Sequence, residues 1–517
     1  MTAAAPEMCP LATSRLAVGL AVAAIALGVA IRLAFPLDSN IDWLTSVARV
    51  VADGGVLGRD IVETNPPMAV WIQLPAVLAE RLTGLPAEPL QAGLVFAAGV
   101  AAALHAARRL AAAGLGGRFD AAILLAVLLV MPLSAFAERE HVALILTLPA
   151  IALAAARAAP RTAPHTAPRA ADTRPGLAET VVVGLLAGIA AMIKPQFAAA
   201  TLAVALWLAV RRRSPAALVL PEFVVAGGAT LVYLAAVVVF VPDYVRDVLP
   251  AVLDVYRPIK HGLGHMLVGV KTLEWLAGVA AILWLERRRA AAAPTGALLA
   301  ASAGFLAGFL EQGRGWPYHV YPAAALLLVV LLRIVPAALA SGDARRRVPA
   351  VAGLLAGLMP IANFGYFIYP SRDIVAAIHA AVPHPTLAAL ATDLTPGHPI
   401  TTEVGGRWVG THASRWITAY ARARMAATDD PAVKAICERW IAFDRAVANR
   451  DLAVKRPDIV LVGLGSHDWP AWIAADPETA RLMAGYRLLA RQPIDPADGD
   501  RFEAVEAWIR ADLARAP

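Results

Sequence analysis

Five short polar clusters interrupt an otherwise apolar chain, and each holds side chains able to move a proton or grip an anion. The first, within residues 37–65, carries Asp38, Asp42, Trp43, Asp53, Arg59, Asp60, Glu63 and Asn65. The second is Glu138-Arg139-Glu140-His141 and the third Lys194-Pro195-Gln196. The fourth runs from Asp243 to His265 and includes Tyr256, Arg257, Lys260 and His261; the fifth runs from Glu311 and Gln312 through Arg314, Trp316 and Tyr318 to His319. A carboxylate such as Asp42 can take the proton of a hydroxyl nucleophile. Asp38 competes for that role, and either acid can instead cap a helix. Arg139 can hold a phosphate by paired hydrogen bonds with its flanking glutamates orienting it, or the cluster can be a salt-bridged cap on a helical hairpin. Lys194 reads as a phosphate ligand or as an interfacial lysine reaching for water. The patch from Tyr256 to His265 suits a phosphate, a pyrophosphate or an anionic headgroup. Gly313 and Gly315 let the backbone approach a ligand closely around Arg314, and Trp316 and Tyr318 offer faces for a sugar ring, unless they belong to an interfacial aromatic belt.

The elements that must position these residues are membrane helices. Of 517 residues, 59% are apolar and 16% charged, against roughly 45–50% and 25% for an ordinary soluble protein. The last 148 residues hold 35 charges and the first 369 hold 50, which divides the chain into a membrane body, 1–369, and a water-soluble tail, 370–517. A helix needs ~20 largely apolar residues to cross a bilayer. Such runs lie near 16–36, 89–107, 119–136, 141–157, 177–193, 195–210, 216–241, 266–285, 294–310, 319–338 and 349–369. The stretch 66–82, which opens on a double proline, reads as an interfacial helix.

Short loops rich in arginine stay cytoplasmic. That rule puts the N-terminus, Arg108, Arg109, Arg118, Arg157 and the Arg211–Arg213, Arg287–Arg289 and Arg345–Arg347 triplets inside as solvated anchors, with all five polar clusters and the tail outside. Residues 158–176 read as a Pro/Ala/Arg linker. The tail mixes helical stretches with β-like runs at Pro399–Val404, Asp458–Val462 and Tyr486–Ala490, which predicts a small α/β domain. Cys9 and Cys437 make no disulfide framework. No HExxH helix, P-loop or dinucleotide fingerprint is present, and the arginines do not form a nucleic-acid surface. Whether a divalent ion takes part stays open.

The stretch from "DSNIDW" through "RDIVETNPPMAVW" resembles the first extracytoplasmic loop of GT-C superfamily glycosyltransferases, here spanning 37–88. The charged "EREH" turn and the "KP" step match in kind and order. The likeness covers about residues 16–370 and is nearest the branch that includes lipid A aminoarabinose transferase and the protein mannosyltransferases. It implies a polytopic, mainly α, GT-C-like bundle in the cell (inner) membrane that transfers a sugar from a polyprenyl-phosphate donor, with inversion, to a glycan, lipid or protein acceptor at the outer face. By that likeness Asp42 is the base, with Asp38 the alternative where many members carry paired acids. Arg139, Lys194, Arg257, Lys260, Arg314 and His319 would neutralise the donor phosphate. Glu63, Asn65, Glu138, His141, Tyr256, Glu311, Gln312, Trp316 and Tyr318 would line the substrate site. Competing readings are a flippase or other transporter of lipid-linked oligosaccharide, a polysaccharide polymerase or ligase, and a non-catalytic envelope scaffold.

Overall fold

A computed structural model describes residues 10–159, 175–287, 292–365, 372–465, 467–493 and 502–513. Cys9, most of the linker 158–176, and Arg288 and Arg289 lie outside the described residues. The chain divides into two units. The first comprises residues 1–37, 91–234 and 261–367, and the second 38–90, 235–260 and 368–517.

Each of the eleven apolar runs carries a helix among the described residues. The helices are Pro10–Ala34, Ala87–Ala112, Asp120–Leu125 continued by a π-helical turn Ala126–Val130, Arg139–Arg157, Leu177–Ile193, Ala198–Arg212, Pro221–Phe240, Val270–Glu286, Ala293–Gln312, Pro317–Ala340 and Ala344–Ala362. Among the described residues seven are long and apolar enough to cross a membrane, by length and composition, and the helices at 120–130 and 177–193 are shorter apolar ones. Composition and these helices together make this a multi-pass membrane protein.

Within the first unit, burial sorts the helices. Arg139–Arg157 has 89% of its apolar window buried, whereas Ser14–Ala34 has 11%. The former is a central helix, and the latter turns Leu16, Val18 and Leu33 outward, where only lipid hydrocarbon satisfies them. Close approach of backbones holds part of the bundle. A Cβ at Gly304 would come within 2.5 Å of Ala199 and Ala200, so the Ala293–Gln312 helix meets Ala198–Arg212 through small residues, as membrane helices do without a hydrophobic drive between them.

The arginines expected as solvated anchors are partly corrected. Arg109 pairs with Glu179 at 3.3 Å and Arg157 with Glu222 at 2.7 Å; Arg333, not singled out from the sequence, pairs with Asp120 at 3.1 Å. Glu222 and Asp120 are almost wholly buried, and a buried carboxylate is tolerable only with a partner this close.

In the second unit the tail builds a five-stranded sheet ordered β2-β1-β3-β5-β4. The strands are β1 (Thr386–Leu390), β2 (Arg407–Trp408), β3 (Ile459–Gly465), β4 (Tyr486–Pro493) and β5 (Phe502–Arg510). β1 runs parallel to β2 and β3, while β5 is antiparallel to β3 and β4. The first five residues of β3 are all buried, the pattern of a central strand covered on both faces. Asp458, just before β3, accepts hydrogen bonds from the Thr386 N–H and hydroxyl at 2.8 Å each, which fixes the β1–β3 register. Trp469, Trp472, Leu390, Val460 and Val462 pack into the core on one side.

Pro399–Val404 is not a strand but holds a short helix, Ile400–Glu403. Its β-like composition is overridden by a turn that buries Ile400. β1, β2 and β5 carry no alternation strong enough to be read beforehand.

Candidate functional site

The first unit gathers four elements around one buried polar centre. Glu138 is the N-cap of the central helix, so Arg139, Glu140 and His141 fill its first turn. Lys194 ends the preceding-numbered helix Leu177–Ile193, Gln312 ends Ala293–Gln312, and His319 stands in the first turn of Pro317–Ala340. Lys194 Nζ donates to Glu140 Oε1 at 2.7 Å and to Gln312 Oε1 at 3.2 Å. His319 Nε2 lies 3.5 Å from the same Glu140 oxygen, and Arg139 Nη2 donates to Glu138 Oε2 at 3.1 Å. Glu138, Glu140, Lys194 and His319 are all buried.

Hydrogen-bonding capacity in this centre is left over. Glu140 Oε2, Gln312 Nε2 and both ring nitrogens of His319 are buried without a hydrogen-bond partner. Most buried polar atoms in native proteins are satisfied, so a group of unmet ones calls for a partner such as water, an ion or a ligand. Aromatic side chains adjoin the centre. Trp316 and Tyr318 pack against the His319 ring at 5.2 and 4.6 Å, and the Arg314 guanidinium lies 5.8 Å from the Trp316 ring centre. Gly313 closes the Ala293–Gln312 helix with φ +63°, a left-handed conformation that suits glycine. Its carbonyl accepts from the His261 N–H at 2.8 Å, and the Gly315 carbonyl accepts from Lys271 Nζ at 2.8 Å. Lys271 was not among the residues singled out by sequence, because a lone lysine at a helix start carries no distinguishing pattern. Glu140 stood inside a recognised motif, but its place at the hub depends on three other helices.

His141 is held by main chain. Its Nδ1 accepts from the Ala137 N–H at 3.1 Å and its Nε2 donates to the Leu128 carbonyl at 2.9 Å. Both nitrogens are committed to main chain, so the ring fastens the central helix to the segment before it. Glu311 is exposed, as are His261 and His265, whose rings stack at 4.6 Å.

The second unit holds the acids of the first polar cluster. Asp38 is the N-cap of the helix Ser39–Ala52, accepting from the Asn40 N–H at 2.9 Å. Asp42, one turn in, is 6% exposed. Burial pushes its pKa well above the ordinary carboxylate value; the negative charges of Glu88 and Asp38 add to the rise and Arg49 opposes it. Arg49 is itself held by Glu80 in a fork, at 2.8 and 2.7 Å, and by Glu88 at 2.8 and 3.0 Å. This triad ties Ser39–Ala52 to the helix Leu74–Thr83.

Glu63 and Asn65 are joined to each other in the turn. Glu63 accepts from the Trp43 indole, the Thr64 hydroxyl, the Asn65 main-chain N–H and the Asn65 side-chain amide. That use consumes both carboxylate oxygens to lock the turn into Pro66-Pro67. Tyr256 packs edge-to-face on Trp416 and Tyr420 at 5.9 and 5.1 Å, beside Asp254, which accepts from the Trp440 indole at 2.9 Å. Arg257 and Lys260 are exposed. Among the described residues no group of three or more His, Cys, Asp or Glu is placed to hold a metal ion.

No family model and no curated protein sequence matches the chain. Solved structures do. ArnT from Cupriavidus metallidurans bound to undecaprenyl phosphate aligns over 98% of this chain and 100% of its own, with a TM-score of 0.53 at 15% identity. The same protein in its apo state aligns over 97% of this chain and 100% of its own, with a TM-score of 0.52 at 14% identity. The archaeal oligosaccharyltransferase AglB from Archaeoglobus fulgidus is a more distant match, with a TM-score of 0.41 at 13% identity over 92% of this chain and 72% of its own. The chain therefore shares the fold of ArnT.

Proposed function

We propose that this protein is a membrane glycosyltransferase that moves a sugar from a polyprenyl-phosphate donor to a hydroxyl-bearing acceptor of the cell envelope, on the outer face of the inner membrane. The observation that carries the reading is the buried centre of Lys194, Glu140, Gln312 and His319, with Arg139 and Arg314 nearby. It is polar, cation-bearing and incompletely hydrogen-bonded at the ends of apolar helices. A lipid phosphate matches it, since the anion meets the cations and spare donors while the prenyl chain stays in hydrocarbon. ArnT, whose fold this chain shares over its whole length, was solved with undecaprenyl phosphate.

In the proposed reaction the acceptor hydroxyl attacks the anomeric carbon and Asp42 takes its proton. The bond from that carbon to the phosphate oxygen breaks with inversion, and the lipid phosphate leaves. Lys194, Arg139, Arg314 and His319 stabilise the charge that grows on the departing phosphate. Asp42 suits the base role because its raised pKa makes it a better proton acceptor than an ordinary carboxylate. Asp38 is occupied in capping. We further propose that all eleven helices span, that residues 37–88 form an outer loop, and that the tail from 370 onward is extracytoplasmic.

The direct test is reconstitution of the purified protein with undecaprenyl-phosphate sugars and envelope glycolipids, read by mass spectrometry. A new glycosidic product with release of undecaprenyl phosphate supports the reading. Sugar crossing sealed vesicles with no new glycosidic bond would replace it with transport.

A further inference from the structure

The buried centre of the first unit balances its own charges. Glu138 pairs with Arg139 at 3.1 Å and Glu140 with Lys194 at 2.7 Å, so these two acids and two cations cancel. His319 stands beside them. Its Nε2 lies 3.5 Å from Glu140 Oε1, and neither ring nitrogen makes a hydrogen bond. The cations that face the ring are Lys194, Arg139, Arg314 and Lys271, and the facing acid is Glu140. Lys271 donates to the Gly315 carbonyl, and Glu274 acts on it electrostatically. His261 and His265 form an exposed stack next to Gly315, and Glu311 is exposed as well.

The chemistry of the ring sets a condition. A neutral imidazole has one N–H and one bare nitrogen, so it donates to one acceptor only. Beside Nε2 is a carboxylate, which accepts and does not donate. An ionised phosphate oxygen reaching Nδ1 would likewise only accept. A ring held between two such acceptors needs a proton on both nitrogens, and histidine is the side chain that gains one most readily near neutral pH.

The proposed reaction changes the charge of the lipid. The sugar donor is a phosphodiester with one negative charge. When the bond from the anomeric carbon to the phosphate oxygen breaks, its electron pair stays on that oxygen. The lipid phosphate is then a monoester that approaches two charges at neutral pH, because its second ionisation falls near pH ~6. Within a buried centre whose own charges cancel, the added charge is costly unless something matches it.

We propose that His319 takes up one proton when the centre holds the doubly charged lipid phosphate, donating from Nε2 to Glu140 and from Nδ1 to a phosphate oxygen, and gives it back when the lipid leaves. The proton is drawn from water and returned to it, so His319 consumes none over a turnover, and the acceptor's own proton still goes to Asp42. The singly charged donor requires no such uptake. The bound monoester is therefore held more tightly at lower pH and released more readily as pH rises. The proposal rests on the reading of this centre as a lipid-phosphate site.

The test uses the full chain in lipid nanodiscs, with undecaprenyl phosphate and methyl undecaprenyl phosphate as probes. The methyl ester is a phosphodiester and keeps a single charge. Affinities of the parent and of His319→Gln, which offers a neutral donor and acceptor but cannot take the proton, are read by ligand-dependent thermal shift. For undecaprenyl phosphate the parent's advantage over the variant should fall about tenfold between pH ~6.5 and pH ~8.5, as one imidazole loses its proton. Comparing parent with variant cancels the titration of the lipid itself and of His261 and His265. For the methyl ester the advantage should change by less than about twofold over that range. Binding heats of the parent in HEPES and in Tris near neutral pH count protons directly, and stand even where the variant folds poorly. Uptake is expected with undecaprenyl phosphate and none with its methyl ester. A pH-independent advantage for undecaprenyl phosphate, an equal fall for the methyl ester, or binding without proton uptake each overturns the proposal and leaves the lipid-phosphate reading standing. Failure of both lipids to bind the parent removes that reading and the proposal together.

Discussion

At the scale of single residues, burial and partner choice separate groups that sequence alone holds equal. Asp38 and Asp42 lie four positions apart, yet the first is spent on capping while the second is desolvated with a raised pKa. Asp42→Asn should lower transfer by about 10²- to 10⁴-fold, the usual worth of a general base, while leaving expression and Tm unchanged; full activity in the purified variant would reject Asp42. The base must be ionised to act, so activity should rise with pH through the raised pKa of Asp42. The acidic limb of kcat/KM is therefore expected above the ~3.9 of a free aspartate, and a limb at or below that value would show that Asp42 does not titrate in the reaction. His319→Phe keeps an aromatic ring and deletes two nitrogens that make no hydrogen bond in the protein, Nε2 lying 3.5 Å from Glu140. It should weaken undecaprenyl phosphate binding about fivefold with Tm held or raised, measured by ligand-dependent thermal shift. The clusters at 138–141 and 311–319 were legible as chemistry because hydrophobic burial has no use for such residues. The commitments of His141, Glu63 and Asn65 were not, since they depend on main-chain groups brought near only by folding.

At the scale of elements, the tail depends on a buried ionic knot. Asp444 accepts from His412 Nδ1 at 3.0 Å and from the Thr418 hydroxyl at 2.7 Å, and pairs with Arg415 at 3.2 Å. Burial by itself would raise the Asp444 pKa; the Arg415 charge and the hydrogen bonds from His412 and Thr418 outweigh it and bring the value down to about 2. A carboxylate depressed in the folded state contributes stability that is fully present above its unfolded pKa of ~3.9 and is lost as pH falls toward 2. Tail unfolding, followed by tryptophan fluorescence, should accordingly set in over that window. Asp444→Ala leaves Arg415 buried and uncompensated, and should destabilise the tail by about 3–5 kcal/mol. An unchanged denaturation midpoint would show that the knot is dispensable. β3 could be read from "RPDIVLVG" because a central strand is an unbroken apolar run. β2 could not, since its two residues are specified by pairing with β1.

At the scale of the whole molecule, each apolar run carries a helix among the described residues, and the proposed topology places residue 370 outside. Alkaline phosphatase fused after residue 370 should be active and a cytoplasmic-only reporter at the same point silent; the reverse would reject an odd number of spans. The full-length alignment with ArnT at only 15% identity fits a fold kept by apolar patterning, in which the particular side chains facing lipid exchange freely so long as length and hydrophobicity persist.

Residue order alone determined the membrane class, the positions of the helices and which short segments are too polar for hydrocarbon, because each is a local property of composition over ~20 residues. Only the tertiary structure decided which of those polar side chains work together. Lys194 reaches Glu140 across 54 positions and Gln312 across 118. Such pairings are set by how each helix is rotated and which helix ends become neighbours, and no periodicity within one segment encodes the rotation of another.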